Sequence, residues 1–101
     1  MLRRSRFSEV IDAQLALFAR EHGDVLEDVD ARLRAYNGAD RDEAEKLYGD
    51  YVDAVETGTE LLADLRDHYA QTLEQPDRYN VEFNRAVARR LPEFALEIEN
   101  R

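Results

Sequence analysis

The chain has no cysteine, no tryptophan, two prolines, four glycines and one lysine, Lys46. The missing cysteine excludes disulfides, thiolate metal ligands and cysteine nucleophiles, and leaves the redox compartment open. No apolar run exceeds a few residues, so the sequence offers no candidate to span a bilayer. Arg3 and Arg4 have the look of an export signal, but Glu9 and Asp12 follow where an apolar stretch would be required. A cytoplasmic location is therefore expected. Gly23, Gly38, Gly49 and Gly58 are isolated, so no glycine-rich phosphate loop exists, and no Gly-x-Ser-x-Gly occurs. Ser5 and Ser8 lie at the start of the chain. Nothing here calls for catalysis or for a cofactor.

What remains is rich in Leu, Ala, Glu, Asp and Arg, and poor in clusters of β-branched residues, over 101 residues. That composition specifies an all-α protein of one domain. The net charge of −9 is unevenly spread. Residues 1–6 carry Arg3, Arg4 and Arg6, residues 78–101 carry five Arg against four Glu, and residues 7–77 carry six basic against nineteen acidic side chains. An acidic body repels nucleic-acid backbones and acidic lipid surfaces, so neither is an expected partner.

Apolar positions recur at steps of four and three through Ile11, Leu15, Phe18, His22, Val25, Val29, Leu33 and Tyr36. This spacing predicts a helix over residues 8–36, close to a coiled-coil heptad, behind a basic arm at 1–7. Ser8 is the expected N-cap. In the stretch REHGDVLE, Gly23 and Asp24-x-x-Glu27 form a local stop and restart. The seam nevertheless keeps its phase from Phe18 to Val29, which favours one continuous helix weakened at Gly23. Asn37-Gly38 ends it, and Asp40 opens a second helix over 41–75 with acids in its first turn. Its seam is Ala44, Tyr48, Tyr51, Val55, Gly58, Leu62, Leu65 and Tyr69, widened by Leu47, Val52, Leu61 and Leu73. Gln75-Pro76 ends it, since the residue before proline leaves helical geometry. A third helix, capped by Asp77 or Asn80, is expected over 78–91 with Tyr79, Phe83, Val87 and Leu91 on one face. Pro92 leaves 92–101 as a kinked or frayed tail bearing Phe94, Leu96 and Ile98.

The short connection makes the two long helices, about 40 and 50 Å in length, antiparallel neighbours. Folding about position 38–39 pairs residues whose numbers sum to about 77, so Leu15 faces Leu62, Val29 faces Tyr48, and the ring of Phe18 lies beside Gly58. Room for a ring would explain a glycine inside a helix, where it costs about 1 kcal/mol relative to Ala. Two helices cannot enclose a core, so the third helix, and a second copy of the chain, are expected to cover what is left. Candidate interface residues are Phe18, His22, Tyr48, Tyr51, Leu62, Leu65, Tyr69, Phe83, Leu91 and Phe94. In such a seam Tyr48, Tyr51 and Tyr69 read as core or interface rather than as a base-stacking surface.

Metal binding has a weak sequence signal. Asp64-x-x-x-His68 places two ligand types on one helical face, yet no Glu-x-x-His of the di-iron bundles is present. The pairing rule sets His22 opposite position 55, about 20 Å from His68, so one hairpin cannot bring the two together. The length, the two helices and Tyr36-Asn37-Gly38 at the turn resemble small secreted WXG-type hairpins. The pattern departs in having Tyr for Trp, a third helix and no Tyr-x-x-x-Asp/Glu tail, and membership is not assigned. The expected role is a non-catalytic interaction or scaffold protein that forms a homodimer and binds a protein partner through helix faces. The alternatives are a metal-binding or catalytic bundle assembled across a dimer, and an acidic decoy for a basic protein surface.

Overall fold

A computed structural model describes residues 6–101, and the described residues are all helix, turn or loop, with no strand. In chain order the elements are α1 (Ser8–Glu21), α2 (Gly23–Asn37), α3 (Arg41–Ala70), α4 (Asp77–Arg90), a 3-10 turn (Pro92–Phe94) and α5 (Ala95–Glu99). No helix among the described residues is long and apolar enough to cross a membrane. Residues 1–5 of the expected basic arm lie outside the described residues. Phe7, which the sequence assigns to that arm, is a core residue whose ring meets Tyr79 edge-on at 5.4 Å. α1 starts at Ser8 with Phe7, not Ser8, in the capping position.

The expected continuous first helix is divided, and the division falls on His22 (φ −121°, ψ 34°) rather than on Gly23. Its amide still closes α1 onto the Phe18 carbonyl at 2.8 Å, while its own carbonyl accepts from Val25 and Leu26 at 3.0 and 3.2 Å. His22 thus ends one helix and starts the next within one residue, which is why the hydrophobic phase survives the break. Gly23 weakens helix propagation at that point, and Asp24 sits in the positive first turn of α2.

Asn37 ends α2 and Asp40, in extended conformation, opens α3, but Gly38 closes α2 at φ −96° rather than in the left-handed region expected of a helix-ending glycine. α2 packs more extensively on α3 than any other described pair of elements packs together. Tyr36 meets Tyr48 at 5.2 Å and Arg32 reaches Asp50 at 4.0 Å, pairs summing to 84 and 82 rather than to about 77. Helical side chains lean toward their own N-terminus, so contacts across a chain reversal involve higher numbers on both helices than the axes alone suggest. α3 ends at Ala70, short of Gln75, where the Thr72 hydroxyl and amide both take the Tyr69 carbonyl, at 2.7 and 2.9 Å.

Beyond the break, α1 leaves α3 and packs on α4, joined by Gln14 to Tyr79 and by Asp12 to Arg90. The wedge this opens is filled by α4, the 3-10 turn and α5. Pro92 ends α4, and the tail beyond it folds back as ordered helix in which Phe94 and Ile98 are fully buried and Leu96 is exposed. Phe94 lies between the two residues expected to touch. Its ring meets Phe18 edge-on at 6.5 Å, and a Cβ built on Gly58 would sit 2.7 Å from its Cζ. Gly58 does make room for a ring, but the ring belongs to Phe94.

Arg66 is a buried charge of the chain's core, 4 % exposed. Its guanidinium donates to Asp67 Oδ1 (2.8 Å), Asn84 Oδ1 (3.0 Å) and the carbonyls of Ile98 (3.2 Å) and Arg101 (2.8 Å). One side chain thereby ties α3 to α4 and to the end of α5. Tyr79, also fully buried, has its phenol pushed up to about 12 by burial. An unfolded tyrosine titrates near pH 10, so the folded form holds its proton more tightly and this contribution to stability is complete below that value. It is lost as pH rises toward 12. The urea midpoint of the wild type should fall over that window more steeply than that of Tyr79→Phe, and parallel declines would contradict the assignment.

Candidate functional site

Two surface features of this fold bear on function: the face of the α2–α3 pair, and a cleft at the α1–α2 break. From residue 30 to residue 53 no side chain is buried, although Leu33, Tyr36, Leu47, Tyr51 and Val52 are half-buried and Tyr48 is 50 % exposed. The core lies at one end, and the α2–α3 pair projects from it as an arm. The molecule measures 50 × 29 × 22 Å with a radius of gyration of 15.5 Å. A compact chain of this length has about 13 Å. On the arm, Tyr36, Tyr48 and Tyr51 form an aromatic cluster with ring separations of 5.2 and 6.3 Å. Around it run Asp28–Arg32 and Lys46–Asp50 pairs at 2.9 and 3.0 Å, and the Asp28 carboxylate raises the pKa of the Arg32 guanidinium above its ordinary value. Both pairs are solvent-exposed and add little to stability. Residues 23–56 carry eleven acids against four bases, so the apolar strip runs through a strongly negative arm.

The cleft is lined by Leu17, Phe18, Glu21, His22, Leu61, Asp64, Leu65 and His68, with a volume of about 330 Å³. The break turns α1 off α3 here, and Phe94 plugs only the inner part of the resulting gap. The cleft corrects an expectation: His22 and His68 line one site rather than lying far apart on one hairpin. The break and the leaning of side chains bring His22 toward Leu61 and Asp64 instead of Val55. Asp64 and His68 are both exposed at its edge, while the His22 ring lies tilted against Phe18 with centroids 5.4 Å apart. Among the described residues no three His, Asp or Glu side chains converge so as to hold a metal ion.

Of the residues expected at an interface, Phe18, Leu62, Phe83 and Phe94 are enclosed within the single chain, because the tail folds back over α1 and α3. His22, Tyr51, Leu65, Tyr69 and Leu91 are half-buried, and Tyr48 is open. Sequence reading passed over the role of Arg66. Its signal was phase, since Val55, Thr59, Leu62 and Arg66 follow one helical stripe. Comparison with known protein families, with curated proteins and with solved structures finds no match.

Proposed function

We propose that the protein is a non-catalytic interaction module that self-associates through its acidic two-helix arm, an antiparallel hairpin. The observation that carries this reading is the arm's uncovered strip: twenty-four consecutive residues, 30–53, without one buried side chain and with three tyrosines clustered on it. Two arms related by a two-fold axis would present the same strip to each other and form a four-helix bundle. Tyrosine suits such a surface, having a large apolar ring and a polar tip.

Charge gives the arrangement a signature. Two negative arms repel, so added salt strengthens the homodimer by screening. Light scattering should show mass rising with concentration from 11.7 kDa toward twice that value, and rising further with salt. Tyr48→Glu should weaken association by about thirtyfold, the effect of losing an interface residue worth about 2 kcal/mol. A mass that stays at the monomer value at every concentration and ionic strength would overturn self-association. The arm's charge also favours a second reading, a basic protein partner, for which the salt dependence has the opposite sign.

A further inference from the structure

We propose that the cleft at the α1–α2 break binds a small organic cation with an apolar body, of the aryl- or alkylammonium class. The cleft has a floor and a rim of different chemistry. Phe18, Leu61 and Leu65 make the floor, and Leu17 remains 37 % exposed beside it. The rim carries Glu21 and Asp64, and no Arg or Lys lines the site.

These two carboxylates, like most on this acidic surface, differ from the minority that carry an ion pair. Asp12, Asp28 and Asp50 each have an arginine or lysine within 4.0 Å. Glu21 and Asp64 make no ion pair with any described residue. An uncompensated negative rim over an apolar floor selects a ligand that is positive at one end and apolar at the other. The imidazoles of His22 and His68 add acceptor nitrogens suited to ammonium N–H groups. The volume, about 330 Å³, lies at the small end of ligand pockets and suits a one-ring molecule better than a peptide. A bare metal ion is a poorer occupant, since no three ligating side chains converge. The cleft is built from α1 and the second half of α3, apart from the tyrosine cluster, and its fate is independent of arm association.

The test compares three probes on one skeleton: 2-phenylethylammonium, 2-phenylethanol and 3-phenylpropionate, titrated into the full chain and followed by amide NMR shifts. Two exposed charge contacts should make the ammonium bind about tenfold more tightly than the alcohol, with the carboxylate weakest. Shifts should centre on Phe18, His22, Leu61 and Leu65. The double variant Glu21→Gln/Asp64→Asn changes only exposed side chains and should bring the ammonium down to the alcohol's affinity while the alcohol binds as before. No ammonium binding, equal affinity for all three probes, shifts centred elsewhere, or a preference that survives in the double variant would each overturn the proposal.

Discussion

Arg66→Ala should lower the stability of the folded chain by about 3 kcal/mol, read from urea unfolding. The substitution removes a guanidinium whose fork is held at four acceptors, and leaves the Ile98 carbonyl and the Asn84 amide oxygen without their charged donor. An orphaned buried acceptor costs about 1–3 kcal/mol, and the loss of packing under α5 adds to it. Since a domain of this size has about 5–15 kcal/mol in total, the loss removes roughly a fifth to more than half of it. Arg66→Lys should recover only part of the loss, because an ammonium cannot serve Asn84 and two carbonyls in the fixed plane of a fork. Loss of α5 protection in hydrogen exchange should accompany both. A stability change under about 0.5 kcal/mol for Arg66→Ala, the range of ordinary surface substitutions, would show that the clamp does not hold the tail.

Gly58 and Phe94 should be energetically coupled. Gly58→Leu drives a side chain into the Phe94 ring, which is fully buried. Overpacking of this kind costs about 1–3 kcal/mol, against about 1 kcal/mol gained in helix propensity, and the larger side chain puts the net at the upper end. Phe94→Ala alone should cost about 3–5 kcal/mol through the cavity it leaves between Phe18 and α3. The double variant should be less damaged than the sum of the two by more than about 1 kcal/mol, because each change relieves the other. Additive effects would show that the glycine serves some purpose other than admitting the ring.

These two sites also mark where sequence reading stops. Periodicity, Asn37-Gly38 and the acids after Asp40 were enough to place the C-terminal end of α2 and the start of α3, because these signals are local. The existence of a weak point near Gly23 was equally local. Whether it became a bend or a break depended on α4 and the tail, which take the space α1 vacates. For Gly58 the argument that a ring needed room was sound, but the identity of the ring was settled by a segment 36 positions further along that periodicity had labelled a tail. Arg66 follows the same logic, since its acceptors at Asn84, Ile98 and Arg101 lie 18, 32 and 35 residues away. That both histidines line one cleft was missed for a related reason. A pairing rule drawn for straight helices fails once one of them is broken and side chains lean along both.

The division of the molecule into a covered end and an uncovered arm is the basis of its proposed role. α1, α4, the 3-10 turn, α5 and the second half of α3, with Val29 of α2, supply the core from Phe7 to Ile98. Residues 30–53 have no such cover. Hydrogen exchange across a concentration series tests this most directly, because it reports where association acts as well as whether it occurs. Amides of residues 30–53 should exchange more slowly as concentration rises, while those of α4 and the second half of α3 remain unchanged. Exchange in the arm that is independent of concentration, or protection gained only at the core end, would contradict the assignment of the arm as the associating surface.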